Sequence, residues 1–294
     1  MYNLIRLIRP NQWIKNIFVF LPIFFGEKIH DTQLLFNACL AFLSFSLAAS
    51  SIYCLNDIID IKDDRRHPVK CNRPLASGKI SVPLAYTIML LLMTLSMMVL
   101  FMIESVAFRN ATMIIIAVYW LMQIGYCTFL KRYAIIDVCI ISVGFVMRIH
   151  AGGAATGIEI SHWLIMMTFL LTLFLGIAKR RDDVIRMERT GELARHNTGR
   201  YNLTFVNEVL TITGSVMLVC YIMYTMDANV MAQFGTHYIY CTSLFVIMGL
   251  LRYIQLAVVD EKTGDPTKVM LHDIFIQCVV VGWILSFIII IYVI

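Results

Sequence analysis

The sequence predicts an all-α integral membrane protein, a polytopic bundle of nine transmembrane helices that forms a single domain over residues 1–294. Three observations lead to this fold class, and the first also excludes a soluble globule and a disordered chain. Of the 294 residues, 60% are hydrophobic and 15% are charged, against roughly 45–50% and 25% in soluble domains. The apolar residues fall in runs of about 20, the length of a helix that crosses a bilayer. Lys and Arg concentrate in alternate loops, as membrane topology requires.

The apolar windows give the helices in chain order. The first window is the weakest candidate for a membrane-spanning helix, because Pro22 and Gly26 interrupt it. Before it, residues 1–13 mix Leu and Ile with Arg6 and Arg9, which predicts an interfacial helix lying in the headgroup layer of the membrane. The nine windows are residues 14–30, 34–56, 82–103, 109–129, 134–156, 162–180, 204–226, 237–258 and 271–294.

The basic residues predict the orientation in the membrane. Of the 24 Lys and Arg residues, 20 lie in the N-terminal segment and in or beside the loops after the second, fourth, sixth and eighth windows, whereas the opposite side has only Lys28 and Arg109. Basic loops stay in the cytoplasm, so we expect an inner (plasma) membrane protein with a cytoplasmic N-terminus and an external C-terminus. The net charge of +5 then reflects topology, and no nucleic-acid binding is expected.

Two polar loops, at about residues 57–81 and 179–203, follow the second and sixth windows. Four windows separate them, which keeps both loops on the same side of the membrane. This pattern predicts a parallel duplication of a four-helix unit. It also predicts that both loops meet at the mouth of one cytoplasmic-facing polar cavity.

The first polar loop begins with closely spaced acids, in the sequence NDIIDIKDDRRHPVKCNRP at residues 56–74. On a helix, Asn56, Asp60 and Asp64 share one face at successive turns, with Asp57 beside them. Carboxylates this close repel one another unless a cation lies between them, and ligands that are all oxygen predict Mg²⁺ held together with substrate phosphate. The basic residues that follow fit phosphate oxygens, or merely a solvated loop: Arg65, Arg66, Lys70 and Arg73.

A second polar cluster ends the sixth window, where Lys179, Arg180 and Asp183 lie. A cytoplasmic helix end favours bases in any case, but the carboxylate among them is less expected. Because both bases are expected at a helix end, substitution of either should leave the protein folded. Tyr126 and Lys131 form a third polar group at the cytoplasmic end of the fourth window.

Arg148 lies inside the fifth window, beside the small residues AGGAATG. A charge is costly there, and an intramembrane Arg next to small residues indicates a polar cavity. A structural ion pair would also explain it. Asp137 lies about three helical turns away on the same span, and it is the expected partner of Arg148 or of Lys131.

Together, a Mg²⁺ site and many phosphate-binding cations in a membrane protein predict group transfer from a diphosphate donor to a lipid. Metal ions and Lys or Arg assist the departure of diphosphate. The acceptor is expected to be a lipid because the site opens into the bilayer. No Ser-His-Asp, Cys-His or glycine-rich phosphate motif in the sequence competes with this interpretation.

With nine spans, N-D-x-x-D-x-x-x-D after the second and a polar motif after the sixth, the chain resembles the UbiA-type prenyltransferase superfamily over nearly its whole length. Where aromatic prenyl-transferring members usually carry a second D-x-x-x-D, this chain has Lys179-Arg180-x-x-Asp183. The resemblance implies phosphoribosyl diphosphate as donor, a polyprenyl phosphate as acceptor, Mg²⁺ as cofactor and a homo-oligomer. The segments similar to one branch, the decaprenyl-phosphate phosphoribosyltransferases, are RPNQWIKN at 9–16, NDIIDIKDDRRHPVKCNRPLASG at 56–78, YCTFLK at 126–131, RIHAGGAATG at 148–157 and AKRRDD at 178–183.

The resemblance also implies roles for the site residues. Mg²⁺ on the donor diphosphate would be held by Asn56, Asp57, Asp60 and Asp64. The catalytic residues would be Asp57, Asp60 and Lys131, and the lipid phosphate, already anionic, would need no general base. The residues implied in substrate binding are Lys15, Tyr53, Arg65, Lys70, Arg73, Tyr126, Arg148, Lys179, Arg180 and Asp183.

Two other functions remain open. An aromatic prenyltransferase would use an isoprenyl diphosphate donor and the same Mg²⁺-binding face. A lipid transporter would need polar residues along a complete path across the membrane, and the sequence has few on the external side beyond Glu104, Glu159 and Asp227.

Overall fold

The computed structural model of the protein describes residues 2–66, 69–191, 197–261, 269 and 271–292. Within these ranges the chain is helical and contains no β-strand. Short 3₁₀-helices connect several of the α-helices. The α-helices are α1 (Tyr2–Ile8), α2 (Leu21–Phe25), α3 (Thr32–Ile59), α4 (Ile61–Arg66), α5 (Val82–Val99), α6 (Val106–Thr128), α7 (Ile136–Thr156), α8 (His162–Thr190), α9 (Leu203–Thr225), α10 (Ala228–Phe234), α11 (Ser243–Val258) and α12 (Ile274–Tyr292).

Seven helical stretches of the described residues are long and apolar enough to cross a membrane, and they correspond to the second to eighth predicted windows. The all-α class and the integral membrane protein are confirmed, but the count of nine spans is not. α12 contains a shorter apolar helix, Ile274–Ile290. The seven stretches are Thr32–Ile59, Val82–Met102, Val106–Thr128, Ile136–Thr156, His162–Thr190, Leu203–Thr225 and Tyr238–Val258.

The first predicted window does not form one continuous helix. α1 ends at Ile8, and a 3₁₀-helix of eleven residues begins at Pro10 and precedes the short α2. Pro10 and Pro22 lie in the first turns of these two elements, where a missing N–H group and a fixed φ end the preceding helix. The predicted helix over residues 1–13 is therefore shorter than expected. We call residues 9–20 the N-terminal strap.

The described residues divide into two compact units. Unit 1 comprises Met1–Lys131 and Val143–Ile160. Within it, α3 packs against α5, α6 and the N-terminal strap, around a buried cluster that includes Phe45. Ser44 and Ser96 each donate a hydroxyl hydrogen bond to the other's backbone carbonyl, at 2.7 and 2.8 Å. Small hydroxyl residues of this kind allow two membrane helices to approach closely.

Unit 2 comprises Arg132–Ser142 and Ser161–Ile294. Within it, α8 packs against α9, and α11 packs against α12. Phe174, Leu210 and Tyr253 belong to its buried apolar core. The side chains on the opposite faces of these helices include many exposed Leu, Ile, Val and Met residues, as expected for helices that face lipid.

Each unit carries one of the two predicted polar loops. The loop at 57–81 belongs to unit 1 and the loop at 179–203 to unit 2, although residues 67–68 and 192–196 of these loops lie outside the described residues. One polar loop in each unit agrees with the pattern that predicts a duplication. The single domain and the shared cytoplasmic-facing cavity stay predictions.

We expect Gly152 in α7 to tolerate no larger side chain. A Cβ atom there would overlap the backbone carbonyl oxygen of Val19 in the strap. Gly152→Ala should lower the free energy of unfolding by about 1–3 kcal/mol, the usual cost of overpacking, which thermal unfolding in detergent measures. Gly249→Ala is the control, because a Cβ there meets only Val279, at 3.4 Å. Equal Tm values for the two variants would contradict this close approach.

Candidate active site

An acidic face lies where α3 ends and α4 begins. α3 ends at Ile59, but the backbone N–H of Asp60 still donates to the carbonyl of Asn56 at 2.9 Å, and that of Asp64 to the carbonyl of Asp60 at 2.8 Å. Such i→i+4 bonds keep the helical pitch, so the helical path continues from Asn56 to Asp64. Asp57 and Asp64 are buried, whereas the Asp60 side chain is 26% exposed.

Lys131 binds the more exposed part of this face. Its Nζ lies 2.5 Å from Oδ1 of Asp60 and 3.4 Å from Oδ1 of Asn56. Lys131 belongs to a short 3₁₀-helix after α6, and its side chain is 22% exposed. The structure therefore brings together three residues that the sequence analysis assigned to one site, and it gives Asp60 a close cationic partner.

Arg73 binds the buried part of the face. Its Nη1 lies 2.7 Å from Oδ2 of Asp64 and 3.2 Å from Oδ1 of Asp57. The sequence spacing placed Asp64 in a row with Asn56 and Asp60, but Arg73 pairs it with Asp57 instead. Residues seven apart lie two helical turns apart on nearly the same face, which makes this pairing the natural one for a single bridging guanidinium.

A third cation reaches the acidic face from the N-terminal strap. Nη2 of Arg9 lies 2.5 Å from Oδ1 of Asp57, and its guanidinium carbon lies 5.1 Å from the centre of the Tyr53 ring. Oδ2 of Asp57 is buried and has no hydrogen-bond partner among the described residues. Arg9 is absent from the predicted site, although it opens the RPNQWIKN segment, because no local pattern links positions 9 and 57.

Two further side chains fasten the strap to α3. Nε1 of Trp13 donates to Oγ of Ser50 at 2.9 Å, and Nδ2 of Asn16 donates to Oγ of Ser46 at 2.9 Å. Neither residue is among the predicted site residues, although both lie in the RPNQWIKN segment that carries the family resemblance. Their regular spacing after Arg9 was the available signal that one side of the segment faces another helix.

Arg148 lies inside α7 and is only 6% exposed. Its Nε donates to Oδ1 of Asn16 at 2.7 Å, and its Nη1 donates to the carbonyl of Gly144 at 2.6 Å. Arg148 has no carboxylate partner among the described residues, and aromatic faces stabilise its charge instead. The rings around its guanidinium carbon are Phe45 at 4.8 Å, Phe145 at 4.8 Å and Tyr119 at 5.5 Å.

Unit 2 contains a buried ion pair between α7 and α8. Arg180 and Asp137 are 1% and 0% exposed, and Nη2 of Arg180 lies 2.8 Å from Oδ2 of Asp137. Nη1 of Arg180 donates to Oδ2 of Asp183 at 2.9 Å. The expectation that Asp137 pairs with Arg148 or Lys131 is therefore wrong, because Arg180 is its partner.

The position of Arg180 also contradicts the expectation that it lies at a helix end, where its substitution would leave the protein folded. α8 continues to Thr190, so Arg180 lies in its interior and supports the packing of unit 2. The role of Arg180 in substrate binding stays a prediction. Lys179, its neighbour in the predicted motif, is half-buried.

Tyr201 completes the network around Asp137. Its hydroxyl donates to Oδ1 of Asp137 at 3.1 Å and accepts from the backbone N–H of Ile135 at 2.6 Å. Burial raises the pKa of Tyr201 to about 12, and the negative charge of Asp137 acts in the same direction. The phenol is therefore neutral at physiological pH and can donate its hydrogen bond to Asp137. Tyr201 is absent from the site predicted from the sequence.

Arg181, the second arginine of the AKRRDD segment, ties three helices together. Its Nε donates to Oδ1 of Asn207 in α9 at 2.8 Å, and its Nη1 donates to the carbonyl of Ala257 in α11 at 2.5 Å. Arg181 is 5% exposed. Two neighbouring arginines thus connect α8 to different helices of unit 2: Arg180 binds α7, and Arg181 binds α9 and α11.

The remaining predicted binding residues lie in several elements. Nε of Arg65 donates to the carbonyl of Ala76 at 3.2 Å, so this guanidinium holds the polar loop of unit 1 in shape. The others are half-buried: Lys15 in the strap, Lys70 at the start of a 3₁₀ turn, and Tyr126 near the end of α6.

Among the described residues, no group of three or more His, Cys, Asp or Glu side chains is arranged to hold a metal ion. Mg²⁺ in phosphate-transferring sites, however, is commonly bound by one or two carboxylates together with substrate phosphates and water. The acidic face fits this mode of metal binding, because the atoms that it offers as ligands are oxygens and because Oδ2 of Asp57 has no hydrogen-bond partner among the described residues. A buried oxygen without a partner is costly, and a cation would satisfy it. The full predicted ligand set stays a prediction.

Residues 17–279 match the sequence profile of the UbiA prenyltransferase family. The chain belongs to the UbiA prenyltransferase family. The decaprenyl-phosphate phosphoribosyltransferase of Mycolicibacterium smegmatis is 33% identical over 293 residues, which cover 96% of this chain and 90% of the relative. The enzyme of the same name from Corynebacterium glutamicum is 31% identical and covers 99% of this chain and 87% of the relative. The resemblance inferred from the motifs is thus confirmed.

Solved UbiA structures share the fold. A UbiA homologue from Archaeoglobus fulgidus bound to GPP and Mg²⁺ has a TM-score of 0.72 and 18% identity, covering 99% of this chain and 100% of that chain. The same homologue bound to Cd²⁺ has a TM-score of 0.68 and 17% identity, with coverage of 99% and 100%. At this identity the likeness shows the UbiA fold alone.

In this UbiA-family protein, Arg180→Met should destabilise the fold strongly. The change leaves the Asp137 carboxylate buried without its cation, and breaking a buried pair costs about 3–5 kcal/mol. Arg186→Met on the same helix is the control, because Arg186 is exposed. Thermal unfolding in detergent should give a much lower Tm for Arg180→Met. A Tm equal to that of the control would show that the ion pair does not support the fold.

Proposed function

We propose that the chain transfers the 5-phosphoribosyl group of phosphoribosyl diphosphate to a membrane polyprenyl phosphate and releases diphosphate. The observation that carries the proposal is the acidic face at the end of α3, whose carboxylates are each matched by a cation. Such a face combines the two kinds of group that a diphosphate donor needs. Carboxylates bind a divalent cation, and Arg and Lys bind phosphate oxygens.

The choice of donor and acceptor is supported by the relatives. Proteins named decaprenyl-phosphate phosphoribosyltransferase are 31% to 33% identical to this chain over nearly its full length. The second polar motif agrees with this choice, since it reads Lys179-Arg180-x-x-Asp183 where aromatic prenyl-transferring members usually have a second pair of acids. A sugar phosphate adds an anionic group that an isoprenyl diphosphate lacks, so its site needs more cations. Within this motif Lys179 is the candidate for that role, because Arg180 is already paired with two carboxylates.

The reaction exchanges one bond at ribose C1 for another. The bond between C1 and a diphosphate oxygen breaks, oxocarbenium character develops at C1, and an oxygen of the lipid phosphate forms the new bond from the opposite face. The lipid phosphate is already anionic, so no proton has to be removed from it. The residues of the chain therefore act by neutralising charge and by aligning the two substrates.

Mg²⁺ is the cofactor that we propose, and when bound it would neutralise the charge of the leaving diphosphate. Its proposed ligands are the predicted set Asn56, Asp57, Asp60 and Asp64. Lys131 and Arg73 lie against these acids, and they are the cations best placed to bind the phosphate oxygens of the donor. Lys15, Lys70 and Lys179 remain proposed contacts for the other phosphate groups of the two substrates.

The distribution of basic residues supports a location in the plasma membrane with the N-terminus and the acidic face toward the cytoplasm. This side suits the donor, because phosphoribosyl diphosphate is a highly charged, water-soluble molecule that cannot enter the hydrocarbon core. The acceptor carries its phosphate at the membrane surface while its polyprenyl chain stays among the apolar helices.

Purified protein in detergent should release diphosphate from phosphoribosyl diphosphate when Mg²⁺ and a polyprenyl phosphate are both present. The phosphoribosyl group should appear on the lipid, detected by thin-layer chromatography of a radiolabelled donor. Parallel reactions with an isoprenyl diphosphate and an aromatic acid test the alternative function. Prenylation of the acid without any use of phosphoribosyl diphosphate would overturn the proposed donor and leave the UbiA fold unaffected.

Asp60→Asn should lower turnover at least ~10²-fold, the scale of losing one main charge-stabilising contact. The substitution is isosteric and removes the charge that Lys131 neutralises. Asp63→Asn is the matched control, because Asp63 lies one turn away and is exposed. EDTA should abolish turnover, and added Mg²⁺ should restore it. Full activity of Asp60→Asn, or of the wild type in EDTA, would rule out the metal role of this face.

A further inference from the structure

The N-terminal strap presents a strained residue to the acidic face. Arg9 has a φ of 55° and a ψ of 58°, a left-handed conformation that residues with a Cβ atom rarely adopt. It also precedes Pro10, which favours an extended conformation at the position before it. Such an outlier persists only where the surroundings hold it, and outliers of this kind cluster at functional sites.

Several contacts hold Arg9 in this conformation. Its N–H donates to the carbonyl of Ile5 at 3.0 Å, and its own carbonyl accepts from the N–H of Gln12 at 2.9 Å. The strap beyond it is fastened to α3 by Trp13 and Asn16. At the other end of the side chain, the guanidinium lies over the Tyr53 ring. The backbone and the guanidinium group of Arg9 are both held in place, so its positive charge has a fixed position.

The contact that this fixed charge makes is one-sided. Arg9 and Arg73 both bind Oδ1 of Asp57, at 2.5 and 3.2 Å. Oδ2 of the same carboxylate is buried and has no hydrogen-bond partner among the described residues. Two guanidinium groups on one oxygen fix the plane of the carboxylate. The other oxygen keeps its lone pairs available for a ligand.

We propose that Arg9 is a positioning residue of the acidic face. It holds Asp57 through Oδ1 so that Oδ2 is presented to the divalent cation that accompanies the donor. This inference rests on the cation role proposed for Asp57 and adds the strap to the site. Because Arg9 is fixed at both ends, it differs from a mobile base that would leave Asp57 for a substrate phosphate, and it does not occupy the oxygen that the cation needs.

The proposal is tested by titrating Mn²⁺ into the full chain in nanodiscs with inorganic diphosphate present and following bound metal by EPR. Neither phosphoribosyl diphosphate nor polyprenyl phosphate is added, so the readout does not depend on turnover. Arg9→Gln should raise the Mn²⁺ dissociation constant about tenfold, the usual size of losing a group that orients a metal ligand, at unchanged stoichiometry. Arg9→Lys should raise it less, since an ammonium keeps the charge but not the planar fork. Arg6→Gln is the matched control, because Arg6 lies in α1, just before the strap, and its side chain is exposed.

In steady-state assays, Arg9→Gln should raise the Mg²⁺ concentration needed for half-maximal rate, while kcat recovers at saturating Mg²⁺. An unchanged Mn²⁺ dissociation constant for Arg9→Gln would overturn the proposal, because Arg9 would then have no effect on the cation site. Fewer Mn²⁺ ions bound per chain at unchanged affinity would also overturn it, because Arg9 would then only keep part of the protein folded. Tighter Mn²⁺ binding would also overturn it, because Arg9 would then compete with the cation. If Arg9→Gln does not fold, an Arg9→Lys variant with wild-type affinity overturns it.

Asp57→Asn, measured in parallel, separates this inference from the function on which it rests. Loss of Mn²⁺ binding in Asp57→Asn with no effect of Arg9→Gln would reject the role of Arg9 and keep the cation site. Wild-type Mn²⁺ binding in Asp57→Asn would reject the cation role of Asp57 and, with it, the role of Arg9.

Discussion

The ion pairs of Asp57, Asp64 and Asp137 are the interactions on which the rest of the structure depends. A carboxylate moved from water into an apolar helix bundle loses most of its hydration, and only a close cation with good hydrogen-bond geometry offsets that loss. Each of these acids has such a cation within 2.5 to 2.8 Å. The fold can therefore keep negative charge near its membrane-spanning helices, which a cation-binding site requires.

The two units use the same kind of pair for different purposes. In unit 1 the side chains of the cations are partly exposed, 22% for Arg9 and 25% for Arg73, so a ligand can approach the acids that they neutralise. In unit 2 the Arg180 side chain is 2% exposed and is enclosed by two carboxylates. A base with that environment contributes to the packing of its helices. The degree of exposure thus separates bases that can reach a ligand from bases that support the fold.

Local patterns in the sequence predicted what depends on neighbours in the chain. Long apolar runs located the seven long helices α3, α5, α6, α7, α8, α9 and α11, and the spacing of Asp57, Asp60 and Asp64 located the acidic face. The helices at the start of the chain are harder to predict, because prolines divide an apolar window into short elements while the window keeps its apolar composition. The predicted helix count depended on that window.

Pairs far apart in the sequence could not be predicted in the same way. Arg9 and Asp57 are 48 residues apart, and Arg180 and Asp137 are 43 apart. A base at the end of an apolar window has the same sequence signature whether it faces water or a buried acid. For that reason the sequence predicts a helix end for Arg180 and does not predict Arg9 as part of the site. Only the folded chain shows which acid each base meets.

The strap also constrains the order in which the protein can be completed during synthesis. Asn16 is translated well before Arg148, and the hydrogen bond between them joins positions 132 residues apart. Contacts between distant positions close late, because the chain between them must first be made and ordered. Unit 1 resumes only at Val143, after Arg132–Ser142 has contributed to unit 2. A nascent chain that ends before α7 therefore lacks part of both units, and the strap, which is made earlier, reaches its final contacts only after α7 has been made.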